Sequence, residues 1–279
     1  MDEPTIWMYW TTPRGSNGRP PYLNACLESI RRNSGCRLLL CDERTAREFA
    51  PELPDHFSLL TPNHQSDLFR LHVLTTHGGM YLDFDTVVLR SLVPLFEALN
   101  EVEIVVADWR PQRLPQEIWQ PIGTTILGPM RPELPFMRAA RELQAEVLRK
   151  KESLLLTARD YPFAWGELIE VVTPAFLAHP PVARLKEGAA TWFGLVGGPT
   201  WFGGNIGHAL QTLEETGPLP DSELFTIANS LMPEELKRMP IEQLLEGPTV
   251  LAYLLQNALG QGLSQSAQLP EGIGARNRV

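Results

Sequence analysis

The feature that most constrains this chain is a helix that leads directly into a short strand. Apolar side chains recur at helical spacing from Ser66 to His77, and Gly78-Gly79 ends that pattern. The tight apolar run Met80–Leu82 follows at once and continues into Asp83-Phe84-Asp85. The pattern therefore predicts a helix, a glycine turn and a buried strand that ends in two aspartates.

Two aspartates are unexpected at the end of a buried strand. Unpaired charge is costly there, so a cationic group should lie nearby. If Asp83-Phe84-Asp85 is extended, both carboxylates face one crevice and Phe84 packs the other way. Carboxylate oxygens suit Mg²⁺ or Mn²⁺, whose remaining positions are usually filled by water and substrate phosphates. The sequence therefore predicts a divalent-cation site with Asp83 and Asp85 as ligands.

The preceding helix carries Asp67 and Arg70 on one face, because the two are three residues apart. A surface ion pair of little energetic value is the simplest explanation. The alternative is that this face lines the same crevice, since Gly78-Gly79 connects the helix directly to the aspartate strand. There a carboxylate and a guanidinium would be suited to binding hydroxyls and phosphate oxygens.

The order of elements predicts an α/β fold. The chain begins with a β-branched and aromatic run, Thr5 to Thr11, then a helix that starts at Pro20-Pro21, then a second apolar run, Arg37 to Cys41. Further strands are predicted over 103–107 and 122–127. Helices are predicted over 133–152, 166–178, 221–231, 233–245 and 249–259. Residues 261–279 have few apolar side chains, and we expect a flexible tail.

The composition excludes several classes of protein. The chain has 33 acidic and 24 basic residues, a net charge of −9 and no basic run, so nucleic acid is not an expected partner. The acidic start, residues 1–4, is unlike a signal peptide, and no run reaches the roughly 18 apolar residues of a membrane span. Cys26, Cys36 and Cys41 match neither a disulfide framework nor a CxxC pair. We expect a cytoplasmic protein without integral membrane contact.

The whole string Ser66-Asp67-x-x-Arg70, an apolar helix, then Gly78-Gly79-Met80-Tyr81-Leu82-Asp83-Phe84-Asp85 resembles the DXD-sugar-binding glycosyltransferases. That family includes initiating mannosyltransferases of yeast, capsular-polysaccharide synthesis enzymes and the catalytic domains of glucosylating bacterial toxins. The resemblance is close over Asn63 to Leu95 and fainter over Ile6 to Trp10. It implies a Rossmann-like α/β fold of GT-A type with a mostly helical C-terminal part.

The resemblance also implies roles for individual residues. Asp85 would be the main metal ligand, and Asp83 would contact the metal and the ribose, so both are candidate catalytic residues. The implied substrate-binding residues are Trp10 for the base, Asp67 and Arg70 for the donor sugar, and Ser66 and Tyr81 for the ribose and phosphates.

The implied function is metal-dependent transfer of a sugar, with retention of anomeric configuration, from a nucleoside-diphosphate sugar. UDP is expected before GDP, Mn²⁺ or Mg²⁺ as the cofactor, and a soluble small molecule, glycan or protein as the acceptor. One domain over 1–260 is predicted. Its first half, 1–130, would bind the nucleotide sugar and metal, and its helical second half, 131–260, would form the acceptor side.

The sequence departs from the family pattern downstream. Residues 120–125 contain no Asn where family members carry one near the reacting sugar, and residues 252–257 lack the family's His and Trp. Which residue closes the site is left open. The candidates are Asn205, His208, Tyr253 and Asn257.

Two other functions fit parts of the sequence. A non-catalytic module that binds nucleotide sugars or carbohydrate would keep the donor site without turnover. A haloacid-dehalogenase-like phosphatase would use Asp83 as nucleophile and Asp85 as general acid and base. Such a phosphatase needs a further acidic pair to hold Mg²⁺, and Asp108, Asp160 and Asp221 form none, so this function is disfavoured.

Overall fold

A computed structural model describes residues 3–12, 18–98, 104–107, 123–129, 132–157, 171, 174–175, 178–179, 183–184, 194–195, 210–216, 219, 223–227, 229 and 232–260. Its strands are β1 Thr5–Tyr9, β2 Arg37–Cys41, β3 Met80–Leu82, β4 Thr86–Val88, β5 Ile104–Ala107, β6 Gly123–Pro129, β7 Ala183–Arg184, β8 Gly194–Leu195 and β9 Leu224–Thr226. Its helices are α1 Pro21–Asn33, α2 Ala46–Phe49, α3 Pro62–His77, α4 Val93–Ala98, α5 Pro135–Thr157, α6 Leu213–Thr216, α7 Glu234–Arg238, α8 Ile241–Leu245 and α9 Val250–Leu259.

The main sheet has six strands in the order β2-β1-β3-β6-β5-β7. β1 pairs in parallel with β2 on one side and with β3 on the other, whereas β6 runs antiparallel to β3 and β5. The strand order therefore reverses next to β1, which is where open α/β sheets bind ligands at the carboxyl ends of their strands. The predicted α/β class is confirmed.

β1 lies between two layers of the core. Ile6 and Met8 pack into one apolar cluster, with α1, β4 and α9, while Trp7 and Tyr9 pack into the other, with α3 and the start of α5. Burial of both faces is typical of a central strand in a parallel sheet. Because both faces are covered, the ends of β1 and β3 are the parts of these strands that remain accessible to a ligand.

The turn between α3 and β3 depends on two glycines. Both have positive φ, +69° at Gly78 and +91° at Gly79. The indole Nε1 of Trp7 donates a hydrogen bond to the Gly78 carbonyl at 2.9 Å, and a Cβ at Gly79 would lie 2.7 Å from the Thr5 carbonyl oxygen. The glycines thus let β3 start immediately after α3 and lie against β1.

A second sheet has the strand order β4-β9-β8 and contains the main error of the sequence-based prediction. Residues 221–231 were expected to be helical, but Leu224–Thr226 forms β9, antiparallel to β4 with Thr86 opposite Thr226. Its apolar, aromatic and Thr residues are buried between β4 and β8, and this tertiary environment favours a strand. The helix prediction for this segment is therefore wrong.

The other C-terminal predictions have different outcomes. The helix predicted over 249–259 is confirmed, with Thr249 capping it by accepting a hydrogen bond from Ala252 N and Gly260 ending it in a left-handed conformation. The single helix predicted over 233–245 is instead two helices, because Pro240 separates α7 from α8. The predicted tail 261–279 and most of the predicted helix 166–178 lie outside the described residues. None of the described helices is long and apolar enough to cross a membrane.

We predict that Gly79→Ala lowers the free energy of unfolding by about 3 kcal/mol. Alanine is strained at positive φ, and its Cβ would press on the Thr5 carbonyl. Gly260→Ala is the control, because φ there is +67° but a Cβ would meet no atom within 4 Å. It should cost only about 1 kcal/mol. Urea titration measures both values, and equal losses would contradict the close approach of β3 to β1.

Candidate functional site

The two aspartates after β3 lie in a tight turn. The Thr86 N–H donates to the Asp83 carbonyl at 3.2 Å, so Asp83-Phe84-Asp85 bends between β3 and β4. The extended geometry expected from the sequence is therefore wrong. Phe84 nevertheless packs away into the core beside β4, as predicted, and the two carboxylates remain close enough for Asp85 to raise the pKa of Asp83.

Asp83 is held by Arg70. A guanidinium nitrogen of Arg70 donates to Asp83 Oδ1 at 2.6 Å and lies 3.6 Å from Asp67 Oδ1. The Arg70 side chain is only 4% exposed, and its guanidinium lies 4.3 Å from the centre of the Tyr81 ring. A charge so deeply buried is not a surface ion pair, so the surface explanation for Asp67 and Arg70 is excluded.

A hydrogen bond joins the same helix to β3. Ser66 Oγ and the Tyr81 hydroxyl lie 2.6 Å apart, and Tyr81 itself is buried. On the other side of α3, Gln144 of α5 donates to the Asp67 carbonyl at 3.2 Å. The first half of α3 is thereby fixed against both its neighbours, which sets the position of Asp67 and Arg70 relative to the aspartate turn.

Asp85 is held differently, by neutral donors from the segment that follows β9. The Asn229 N–H donates to Asp85 Oδ2 at 2.6 Å, and the Ile227 N–H donates to the Asp85 carbonyl at 2.9 Å. The Tyr22 hydroxyl in turn donates to Asn229 Oδ1. The second carboxylate oxygen, Asp85 Oδ1, is buried and has no hydrogen-bond partner.

Burial makes both carboxylates costly to ionise. It raises the pKa of Asp83 to about 7, against the opposing effect of Arg70 and with a further increase from Asp85 and Asp67. Burial also raises the pKa of Asp85, although the hydrogen bond from Asn229 favours the charged form. Desolvated carboxylates of this kind are common at functional sites, since a bound positive charge restores their ionisation.

The donor set fits a divalent cation. Among the described residues, Arg70 is the cation whose charge acts on both Asp83 and Asp85. Ionised Asp67, Asp83 and Asp85 around that one guanidinium leave two negative charges, and the buried Asp85 Oδ1 has a vacant acceptor position. No group of three or more His, Cys, Asp or Glu side chains in the described part of the chain could hold a metal. Two carboxylates with water and phosphate oxygens would suffice for Mg²⁺.

Trp10 lies at the same edge of the sheet, directly after β1. Its ring centre is 5.2 Å from that of Phe84, and the Arg19 guanidinium lies over both rings, 5.2 Å from Trp10 and 4.2 Å from Phe84. Trp10 is partly buried, so it has an accessible surface beside the aspartate turn. Parallel pairing of β1 with β3 explains this proximity, because it brings their carboxyl ends together.

The structure brings together most of the residues that the sequence singled out. Arg70 is paired with Asp67 and Asp83 and lies over the Tyr81 ring. Ser66 is hydrogen-bonded to Tyr81, and Trp10 packs on Phe84. Of the candidates for closing the site, Tyr253 is partly buried and Asn257 is exposed, both on α9. Asn205 and His208 lie outside the described residues.

Sequence reasoning missed Asn229, Tyr22 and Arg19. Asn229 lay in a segment assigned to a helix, and its contact with Asp85 spans 144 positions, so no local pattern indicates it. Tyr22 and Arg19 stand at the start of α1, where the apolar spacing identified the helix but gave no reason to look at the aspartate turn. The run Leu-Phe-Thr-Ile over 224–227 was the one available signal for a strand.

Comparison with known proteins gives one sequence match. Residues 38–105 match a family model described as the glycosyltransferase sugar-binding region containing a DXD motif. This range includes β2, α3, the glycine turn and both aspartates. No curated protein sequence matches the chain.

Solved structures of glycosyltransferases resemble the fold at low sequence identity. GlyE of Streptococcus pneumoniae TIGR4 is 12% identical, with a TM-score of 0.47, over 92% of this chain and 60% of its own. A glycosyltransferase involved in glycosylation of the major capsid of PBCV-1 is 12% identical, with a TM-score of 0.45, over 84% and 97%. The galactosyltransferase LgtC is 10% identical, with a TM-score of 0.42, over 94% and 98%.

The sequence match carries the comparison, since every one of these TM-scores is below 0.5. The family model covers the segment whose residues form the site: the α3 face with Asp67 and Arg70, and the turn with Asp83 and Asp85. Residues 38–105 of this chain therefore resemble the sugar-binding region of the DXD glycosyltransferases.

Proposed function

We propose that this chain transfers a sugar from a nucleoside-diphosphate sugar, UDP before GDP, to a soluble acceptor, with a divalent cation and with retention of anomeric configuration. The observation that carries the proposal is the pair of partly buried carboxylates after β3, of which Asp85 keeps one buried oxygen without a hydrogen-bond partner among the described residues. Their place at the carboxyl ends of β1 and β3 supports it, because α/β sheets bind nucleotides at such an edge.

Asp85 and Asp83 are the proposed cation ligands, with Mn²⁺ or Mg²⁺ as the ion. When bound, the ion would offset the negative charge that develops on the departing nucleoside diphosphate as the glycosidic bond breaks. Asp85 offers the oxygen that has no other partner, while Asp83 shares its charge with Arg70. Asp85 is therefore proposed as the stronger ligand of the two.

Arg70 has a positioning role in this proposal. Its guanidinium is paired with Asp83 and Asp67 in the folded chain, which orients both carboxylates toward the site. Asp67 is the side chain of this helix face that we propose to contact the donor sugar, through hydroxyl groups of the ring. The hydrogen bond between Ser66 and Tyr81 keeps α3 and β3 at a fixed separation beneath Asp67.

Trp10 is proposed to stack on the base of the nucleotide. Its partly exposed indole stands beside the aspartate turn, so a base packed on it would place the diphosphate near Asp83 and Asp85. The acceptor is proposed to bind on the side formed by residues 131–260. The proposed acceptor is a small molecule, a glycan or a protein. The proposed location is the cytoplasm.

Release of nucleoside diphosphate tests the proposed donor. We expect the purified chain, incubated with Mn²⁺ and a panel of nucleotide sugars, to release nucleoside diphosphate from a UDP-sugar, and EDTA to abolish that release. A coupled assay for the released diphosphate measures the rate, and NMR of the anomeric proton reports the configuration of any product. Calorimetric binding of a donor without any release would favour the non-catalytic binding module instead.

A substitution at Asp85 tests the proposed metal ligand. We expect Asp85→Asn to lower kcat/KM by about 100-fold or more, because the amide can still accept the Asn229 hydrogen bond but cannot supply a carboxylate to the cation. Thermal unfolding should show an intact fold.

Asp42→Asn is the matched control. Asp42 follows β2 at the same edge of the sheet, but its carboxylate accepts from the backbone N–H groups of Arg44 and Thr45, a capping role that Asn also fulfils. The activity of Asp42→Asn should equal that of the wild-type protein. Metal-dependent turnover that survives Asp85→Asn unchanged would refute the site assignment.

A further inference from the structure

We propose that Tyr22 is a positioning residue for the cation site, which acts through Asn229 to hold Asp85 with one carboxylate oxygen free. The identity of the bound cation rests on the proposed function, but the positioning itself does not. Tyr22 lies at the start of α1, and Asn229 follows β9, so the arrangement joins three parts of the chain that are distant in sequence.

The contacts form a continuous path. The Tyr22 hydroxyl donates to the side-chain oxygen of Asn229, and the backbone N–H of the same Asn229 donates to Asp85 Oδ2 at 2.6 Å. The Ile227 N–H also donates to the Asp85 carbonyl at 2.9 Å, which is a second hydrogen bond between the same two segments. Asn229 is thus bound at its side chain by one residue and at its backbone by the other.

Core packing fixes Tyr22, the first residue of this path. Its side chain is 1% exposed and belongs to the apolar cluster that also contains Phe84, Val87 and Phe225, on both sides of the aspartate turn. Burial, and next the nearby charge of Asp85, raise the pKa of Tyr22, so its hydroxyl stays protonated and acts as a donor. Because the ring is packed and the hydroxyl donates to Asn229 Oδ1, Tyr22 fixes the position of the Asn229 side chain.

The consequence for Asp85 is chemical as well as geometric. Asp83 forms an ion pair with the Arg70 guanidinium, which competes with any other cation for that carboxylate. Asp85 instead receives a neutral N–H on one oxygen, and its Oδ1 remains buried without a partner. A neutral donor fixes the carboxylate without neutralising it, so its negative charge remains available to a metal ion. Groups that orient metal ligands in this way commonly change metal affinity by about 10-fold or more when removed.

The test is Tyr22→Phe in the full chain, measured with Mn²⁺ alone. We expect about 10-fold weaker Mn²⁺ binding by electron paramagnetic resonance of free Mn²⁺, since loss of the hydroxyl releases Asn229 and lets Asp85 reorient. In turnover, the Mn²⁺ concentration for half-maximal rate should rise by a similar factor, while kcat at saturating Mn²⁺ changes by less than about 2-fold.

Tyr9→Phe is the matched control. Tyr9 is also a buried tyrosine, and its hydroxyl donates to Gln65 Oε1 at 2.8 Å in the other core cluster. Both variants remove a buried tyrosine hydrogen bond and should lose comparable stability, but only Tyr22→Phe should lose Mn²⁺ affinity. Equal Mn²⁺ affinities in the two variants and the wild type would overturn the proposal and leave Tyr22 a purely structural residue.

A metal-free measurement separates this proposal from the proposed function. Hydrogen exchange at the Asn229 amide should accelerate in Tyr22→Phe and not in Tyr9→Phe, whether or not the protein binds a metal. A wild-type chain that binds no Mn²⁺ would refute the proposed cation site, whereas unchanged exchange at Asn229 in Tyr22→Phe would refute the positioning role.

Asn229→Ala provides the second variant. It removes the acceptor for Tyr22 but keeps the backbone N–H that donates to Asp85. We expect it to weaken Mn²⁺ binding about as much as Tyr22→Phe does, and the double variant to be no weaker than either single one, because both changes break the same path. Additive losses in the double variant would show that the two residues act independently and would overturn the proposal.

Discussion

The site depends on keeping two carboxylates charged at the buried end of β3. Desolvation opposes this at both positions, and it raises the pKa of Asp83 to about 7 in the absence of any further cation. Within the described part of the chain, the guanidinium of Arg70 is the positive charge paired with Asp83. The remaining negative charge is the physical reason for proposing a divalent cation at this site, and such a cation would let a chain with a net charge of −9 bind phosphates.

The position of these carboxylates follows from the topology of the sheet. β1 has parallel neighbours on both sides, so the strand order reverses beside it and its carboxyl end opens between β2 and β3. Gly79 allows β3 to approach β1 closely, where a side chain would collide with the Thr5 carbonyl. The same approach brings Trp10 beside the aspartate turn. The ring proposed to stack on the base and the two proposed metal ligands therefore lie close together because two backbone segments can touch.

Local patterns in the sequence were sufficient for one half of the site. The apolar spacing of α3, the two glycines and the short strand fixed the relation of Asp67 and Arg70 to Asp83, since all lie within one helix-turn-strand unit. The turn at Asp83-Phe84-Asp85 was not predictable in the same way. The turn leads into β4, which pairs with β9, and β9 lies more than a hundred positions downstream in a segment that was predicted to be helical.

The other half of the site comes from those distant contacts, and it gives the two aspartates different properties. Asp83 is bound by a charge on the helix just before it, whereas Asp85 is bound by neutral donors that arrive only when β9 docks on β4. Phe84, between them, is buried in the core. An Asp-x-Asp motif thus identifies two candidate ligands without distinguishing them. Their surroundings do: Asp83 is paired with the Arg70 guanidinium, whereas Asp85 accepts a neutral N–H on one oxygen and, among the described residues, its other oxygen has no hydrogen-bond partner.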